Sequence, residues 1–530
     1  MTTILQRHAF LLILFAAAVW RLAYLLAYVE LPLIDGPMFD SEVYLHQAAV
    51  IDFGYHGDSS LLAMSPLYGY FLYALGAPSE LYVPIAVQIL MGIATMALIG
   101  AYCARIFGRT AGLFCTIFAA FYAVFPFYET KHMGEALGLF LLVLALWISG
   151  WCGFGAPSTL PSPRRFALSV LAGATLAMAV LARASFLFIC PFWIAASVFP
   201  SYAEEQWAAF RPRINRTMGF VIGLSIVFVG HGLWNLEHSG LFVPVILQSN
   251  TVSKATAPDF GGSFFDLSQS TLRPPSPWDV VRQARVRIED HRKGWHAPPG
   301  QNQVNWSGYI RNLPRKFWAT FEDNEQTGFD YAYYGERSEL ATLRAFPISF
   351  GCLLSLSVGG IFALWLRRRN GSLRGLVVVS PLMLGALSTT TLFHSSTRYR
   401  LPLSIAFTLL AGVALAHIVH MPRTRARIGL LALTGTLVAF FAWRNATYDL
   451  RNPNLWHLRL AEAYLRHLPE PEPAHFKNAQ KQIEVALALS PQIDPPLRHR
   501  LRYLQSLAPH IRMVPAAILR EPAHLTVPNQ

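Results

Sequence analysis

The sequence predicts an all-α polytopic membrane protein, and three observations carry that expectation. Apolar residues run in blocks of roughly 15–24, most of them long enough to cross a hydrocarbon core about 30 Å thick. Hydrophobic residues make up 53% of the 530-residue chain and charged residues only 14%, with a mean hydropathy of +0.36. Soluble domains carry far more charge. Arginines, finally, gather in short clusters between the apolar blocks instead of being spread along the chain.

Spans are expected at about 9–28, 81–104, 110–127, 134–151, 166–182, 185–199, 217–234, 343–366, 375–392, 401–420 and 427–443, a bundle of about 11 transmembrane helices. The first block is too long for a signal-peptide core and has no evident cleavage site, so it reads as a retained signal anchor. From a cytoplasmic N-terminus, alternate turns carry Arg105 and Arg109, then Arg164 and Arg165, then Arg211, Arg213 and Arg216. Arg367, Arg368, Arg369 and Arg374 follow, and then Arg423, Arg425 and Arg427. All of these clusters fall on one side, as the positive-inside rule requires, and the C-terminus is then outside. The same clusters account for the net charge of +13, which excludes nucleic-acid binding as its explanation. Cys103, Cys115, Cys152, Cys190 and Cys352 lie in or beside apolar segments with no disulfide framework and no CxxC pair.

This topology exports four polar segments: the first outer loop 29–80, the turn Tyr128–Glu135, the large outer loop 235–342, and His394–Arg400. The first loop carries Asp40, Glu42, Tyr44, His46 and Gln47 within eight residues. Two carboxylates beside a membrane edge suit acid–base work on a lipid surface. The alternative is structural: Asp40 caps a helix from Ser41 to about Ile51, with Glu42 answering the helix dipole. Ser65-Pro66-Leu67-Tyr68-Gly69-Tyr70-Phe71 follows, and its prolines and rings suit the membrane interface.

In the second outer turn, Glu135 either joins a site or simply opens span four, where a carboxylate is electrostatically favoured. Lys131 and His132 either meet a phosphate or lie in a solvated turn. Arg183, between spans five and six, either serves a site or snorkels at the membrane edge. The run Tyr309–Trp318 interleaves basic and aromatic residues, which suits an anionic headgroup. Glu322-Asp323-Asn324 is a candidate metal-binding triplet. Arg398-Tyr399-Arg400 places two arginines on the side where positive charge is sparse. Their planar forks suit phosphate oxygens; the alternative is that they anchor a helix end.

Beyond about residue 443 the chain becomes polar and helical, so 1–443 is expected as the membrane domain and 444–530 as an extracytoplasmic helical tail. Ala479, Ile483, Ala486 and Pro491 match the second helix of a tetratricopeptide-type repeat, and Ala461 with Tyr464 part of the first. A single such unit buries its own apolar face poorly, so this degenerate hairpin should pack on the membrane domain or on a partner.

The order of these motifs resembles the GT-C superfamily of integral-membrane glycosyltransferases. Within it the chain is most similar to the bacterial branch related to protein O-mannosyltransferases and lipid A aminoarabinose transferases. The resemblance covers about residues 5–420 and rests on Asp40-Ser41-Glu42-Val43-Tyr44, Ser65-Pro66-Leu67-Tyr68, Glu135, Leu181-Ala182-Arg183, Glu322-Asp323-Asn324 and Arg398-Tyr399-Arg400-Leu401-Pro402. It implies a GT-C-like bundle in the cell membrane, with an extracytoplasmic site that moves a sugar from a polyprenyl-phosphate donor to a glycolipid, glycan or protein acceptor. It also implies that Asp40 acts as general base or orients the acceptor; Asp40 is the expected catalytic base, with Glu42 a helper or a ligand to an optional divalent cation, magnesium or manganese. Tyr44, Lys131, His132, Glu135, Arg183, Arg398, Tyr399 and Arg400 are then the expected substrate-binding residues. Some relatives carry an adjacent Asp-Glu pair and a lysine before the loop's prolines; here Ser41 intervenes, and Ser65 and Pro66 stand instead. The competing expectations are a lipid-linked glycan polymerase or ligase, a non-enzymatic membrane scaffold and a transporter. A transporter should show broken spans with charges at mid-membrane, and Arg21 is the clearest such charge here.

Overall fold

A computed structural model of the chain describes residues 2–34, 40–56, 58, 60–61, 64–154, 161–198, 210–245, 306–321, 330–368, 374–393, 396–421, 428–429, 431–432, 434–437, 439–440, 453–465, 473–488 and 504. Among them every extended element is helical, and the β contact present is an isolated bridge between Tyr122 and Ile348.

Helix α1 (Thr2–Val29) is apolar nearly throughout and turns Leu11, Leu12, Phe15, Val19, Leu22 and Leu26 outward. In a bilayer that face meets lipid. The first outer loop forms α2 (Asp40–Asp52) and α3 (Pro66–Ala74). Asp40 and Glu42 both lie in the first turn of α2, where the dipole favours carboxylates. Pro66 sits in the first turn of α3, a position that requires no N–H donor. Next come α4 (Tyr82–Phe107) and α5 (Arg109–Phe121), divided by Gly108, whose φ of 99° ends α4 in a conformation other residues avoid.

The span expected at 110–127 is broken. Thirteen residues of α5 rise only about 20 Å. The chain then turns extended at Tyr122, bridges to Ile348, and resumes as α6 (Val124–Glu129). Helix α7 (Glu135–Trp151) begins at Glu135, and α8 (Ser162–Ala182) ends one residue before Arg183. A 3₁₀ turn, Ala184–Phe188, leads into α9 (Ile189–Val198), and α10 (Phe210–Ser239) follows. The long segment after α10 contributes α11 (Trp306–Ala319), α12 (Asp330–Glu339) and α13 (Ala341–Arg344). The remaining helices are α14 (Phe350–Arg368), α15 (Arg374–Leu392), α16 (Thr397–His420), α17 (Pro453–Leu465) and α18 (Pro473–Ala488).

Five helices are long and apolar enough to cross a membrane: His8–Val29, Tyr82–Phe107, Ser162–Ala182, Pro212–Ser239 and Thr397–His420. Five shorter apolar helices, Arg109–Phe121, Glu135–Trp151, Ala184–Val198, Phe350–Trp365 and Val377–Leu392, stand where five other spans were expected. The last expected span, at 427–443, falls partly outside the described residues. The most apolar window of α16 is 83% buried and that of α1 only 17%, so α16 is the bundle's axis and α1 its rim. Helix α16 packs against α5, α14 and α15, and its first turn carries Arg398 and Arg400.

The two ends of the bundle differ as the arginine pattern requires. At one end, Arg105 stacks on Trp151 at 3.9 Å, and Arg216 donates to the carbonyls of Gly153 and Ser197 at 2.8 and 2.7 Å. The other end gathers α2, α3, the 129–135 turn, Arg183 and the start of α16.

The tail docks at that second end. Trp456, Leu460 and Ala463 form one face of α17 and join the main core with Tyr333, Tyr334, Leu340 and Leu343. Leu458, Ala461 and Leu465 form its other face and pack with Ala479, Ile483 and Ala486 of α18. The Trp456 ring lies flush on the backbone of Gly335, where an added Cβ would come within 2.1 Å of it. The apolar face of α17 thus packs on the segment that carries α12 and α13. Pro491 lies outside the described residues.

Candidate functional site

Four separate segments bring charged side chains together at the second end of the bundle. Arg398, in the first turn of α16, pairs with Asp40, the first residue of α2. Glu135, opening α7, presents one oxygen to two guanidiniums: Oε1 lies 3.2 Å from Nη1 of Arg183 and 3.9 Å from Nη1 of Arg398. The Glu135 side chain is fully buried and both arginine side chains are 8% exposed, whereas Asp40 is 27% exposed. Two cations and two anions therefore balance in a buried row, and Asp40 is its member nearest solvent. Nε and Nη2 of Arg183 have no hydrogen-bond partner among the described residues. These donors can bind an arriving anion, since a buried donor left unmade is costly.

Local packing sets this geometry. An added Cβ on Gly134 would lie 2.5 Å from the Ala182 carbonyl oxygen, and one turn later a Cβ on Gly138 would lie 3.0 Å from Cγ of Arg183. Bare backbone at both positions lets α7 run against the end of α8, which brings Glu135 to Arg183. The Ser65 hydroxyl accepts the Ala184 N–H at 3.0 Å, tying the start of α3 to the residue after Arg183. Ser65-Pro66 thus serves in positioning.

Tyr44 packs edge-on against Tyr68, with ring centroids 4.8 Å apart. Burial raises the Tyr44 hydroxyl pKa well above its ordinary value; Arg183 and Arg398 oppose that, and Glu135 and Asp40 reinforce it, so it stays protonated. The Tyr68 hydroxyl donates to Gln88 Oε1 at 2.6 Å. Gln88 Nε2 in turn donates to the carbonyls of Glu129 and Lys131 at 3.0 and 2.8 Å, which fixes the second outer turn. The Arg183 guanidinium lies over the Tyr399 ring at 5.7 Å.

The remaining expected site residues go elsewhere. Lys131 Nζ pairs with Glu336 at 2.8 Å and lies 3.8 Å from the Tyr28 ring centroid. Burial pushes its ammonium pKa down and the Glu336 carboxyl up, each against the partner's charge. The Tyr24 hydroxyl also donates to Glu336, at 2.8 Å. His132 is buried, with Nε2 2.8 Å from the Leu81 carbonyl. Arg400 is fully buried and donates to the Thr320 carbonyl and Thr397 Oγ1 at 3.4 and 3.3 Å, with its guanidinium 4.3 Å from the Phe350 ring centroid. Residues two apart on a helix point about 200° apart. Arg398 and Arg400 therefore do not share a face, and the expectation that both grip one phosphate does not fit.

The same step separates Asp40 from Glu42, whose side chain is buried. His46 and Gln47 hold the chain after α2: His46 Nε2 lies 3.8 Å from Asp58, and Gln47 donates to the Ser60 carbonyl at 2.8 Å. Burial would raise the Asp58 carboxyl pKa, but nearby His46 and the Ser60 hydrogen bonds outweigh it and hold the pKa below its usual value.

The sequence reading gave no role to Glu129, Gln88 or Glu336. A lone polar residue in an apolar stretch is the signal that finds Gln88, and it marks Arg21 as the partner Glu129 needs. Glu336 lies in a polar loop and gives no such signal. A donor set for a divalent cation does not assemble among the described residues either. Among the described residues no group of three or more His, Cys, Asp or Glu side chains converges, and Asp40 is engaged by Arg398. Glu322-Asp323-Asn324 lies outside the described residues.

No protein family and no curated protein matches the chain. Solved structures similar to it include the archaeal oligosaccharyltransferase AglB from Archaeoglobus fulgidus in complex with an inhibitory peptide and a dolichol-phosphate, at 12% identity and a TM-score of 0.46. The apo form of the Archaeoglobus fulgidus oligosaccharyltransferase gives 14% and 0.45, and its complex with Zn and sulfate 12% and 0.46. These alignments cover 92%, 92% and 88% of this chain and 60%, 60% and 57% of those chains. The chain thus spans less than two thirds of the length of the structures it matches.

Proposed function

We propose that the chain is a membrane-embedded glycosyltransferase that moves a sugar from a polyprenyl-phosphate donor to an extracytoplasmic acceptor, with Asp40 as the base. The observation that supports this most is the row Asp40–Arg398–Glu135–Arg183, drawn from four outer segments to one end of an apolar helix bundle. Inverting transfer from a lipid phosphate needs a base at the acceptor hydroxyl and fixed cations on the departing phosphate. Asp40 is the carboxylate of the row nearest solvent, and Arg183 and Arg398 are the cations beside it. The donor's lipid tail gives a physical reason for building such a site on membrane helices. The arginine-clustered end is cytoplasmic in this reading, and the site and the docked tail are extracytoplasmic. The acceptor is a glycolipid, a glycan or a protein.

The test is Asp40→Asn, assayed for sugar transfer in nanodiscs beside thermal unfolding. Asparagine caps a helix about as well as aspartate, so a purely structural Asp40 leaves activity near normal. Loss of a general base lowers the rate by roughly 10²–10⁴-fold. A folded Asp40→Asn protein that transfers sugar at close to the parent rate overturns the assignment.

A further inference from the structure

Asp40 is paired with Arg398, so its carboxylate oxygen is engaged by a guanidinium and not open to an acceptor hydroxyl. We propose that Arg398 exchanges partners during the reaction: it neutralises Asp40 until the donor phosphate arrives, and the phosphate then displaces that carboxylate and frees it to act. The inference rests on the transferase reading and adds an order to it, donor before acceptor.

Three features support the exchange. Phosphate and carboxylate oxygens are equivalent acceptors for the guanidinium fork, so the two anions compete for the same donors. Of the two carboxylates beside Arg398, Glu135 is fully buried and Asp40 is 27% exposed, so Asp40 is the one an incoming anion reaches and the one that can move into water. Glu135 meanwhile stays within 3.9 Å of both arginines and holds two like charges on one oxygen, which makes it a positioning residue for the phosphate site.

Charge balance runs the same way. The row carries two positive and two negative charges, and a donor phosphodiester adds one more negative charge. Departure of Asp40 toward solvent restores neutrality in the buried part. The acceptor O–H then gives its proton to the freed Asp40, and the acceptor oxygen bonds to the sugar's anomeric carbon. The bond from that carbon to the phosphate oxygen breaks, and its electron pair stays on the lipid phosphate. That phosphate passes from one negative charge to two between Arg183 and Arg398. Asp40 finally returns its proton to water and pairs with Arg398 again as the product leaves.

The test measures binding of farnesyl phosphate, without sugar, to the detergent-solubilised parent, Asp40→Asn and Arg398→Gln proteins. Removing the internal competitor should tighten binding to Asp40→Asn about tenfold or more, the scale of one charge-assisted hydrogen bond. Arg398→Gln should bind more weakly than the parent. Asp40→Ala makes the same comparison should the asparagine protein be unstable. Equal or weaker binding by either Asp40 variant overturns the exchange. If that variant is also inactive in transfer, the base assignment survives while the exchange fails. If binding tightens and transfer continues at the parent rate, the exchange survives and the base assignment fails.

Discussion

Replacing Arg21 with methionine tests what holds the first helix to the bundle. Lipid tails are as apolar as leucine, so the outward leucines of α1 gain nothing by docking, and its most apolar window is only 17% buried. Its attachment therefore depends on a few polar contacts. Arg21 Nε donates to Glu129 Oε2 at 2.7 Å, Nη2 to Oε1 at 3.3 Å, and Nη1 to the Ala120 carbonyl at 3.2 Å. Trp20 donates to the Thr342 carbonyl at 2.9 Å, and Tyr24 to Glu336 at 2.8 Å. Burial already pushes the Glu129 carboxyl pKa up against the pull of Arg21. Without the arginine, Glu129 has to take up a proton to remain buried. Relative to an ordinary glutamate, that costs about 1.4 kcal/mol for each pH unit above its usual value, so about 4 kcal/mol at pH 7 and about 1 kcal/mol at pH 5. The pH 7 figure falls within the roughly 3–5 kcal/mol expected for breaking a buried pair. Arg21→Met with Glu129→Leu removes both charges and should stay within about 1 kcal/mol of the parent at either pH. The assay is unfolding in mixed micelles against rising dodecyl sulfate at pH 7 and pH 5. An Arg21→Met loss that is the same at both pH values, or a double variant as unstable as the single one, would refute the reasoning.

Other expectations follow from the same structure. Because the Asp58 carboxyl pKa is held below its ordinary value, its contribution to stability is present above that value and is lost as pH falls through the lower one. The parent's unfolding midpoint should drop below about pH 4, and Asp58→Asn should flatten that drop; equal slopes would show that the loop does not depend on the ion pair. Trp456→Ala empties the seat on Gly335 and should cost about 3–5 kcal/mol of local stability. Hydrogen exchange in α12 and α17 should report that loss, and unchanged protection would show the tail is not anchored there. Gly134→Ala forces its Cβ against the Ala182 carbonyl and moves Glu135 relative to Arg183. Misplacement by about 1 Å can cost roughly 100-fold in rate, so transfer should fall far more than the unfolding midpoint. Gly230→Ala, which meets nothing within 4 Å, is the control.

What could be read directly from the chain is what each segment determines by itself. An apolar run of membrane length is a helix because lipid leaves the backbone no other partner, and arginine placement sets its direction. That reasoning located the helices and the polar segments between them that carry Asp40, Glu135, Arg183 and Arg398. It failed locally at Tyr122, where the expected span breaks on an extended residue that bridges to Ile348.

Which residues meet was decided only by the tertiary structure, because partnership depends on packing between segments far apart in sequence. Asp40 and Arg398 are 358 positions apart, and Lys131 and Glu336 are 205. By residue type, Arg398 and Arg400 were equal candidates, as were Lys131 and Arg183. The turn of α16 sends Arg400 to Thr320, Thr397 and Phe350, and α12 takes Lys131 out of the row. Two bare glycines, Gly134 just before α7 and Gly138 in its first turn, bring Glu135 to Arg183 instead. Side-chain chemistry limited the candidates, and the close approach of helix backbones chose among them, because a charge in so apolar a bundle is stable only where packing brings its partner within reach.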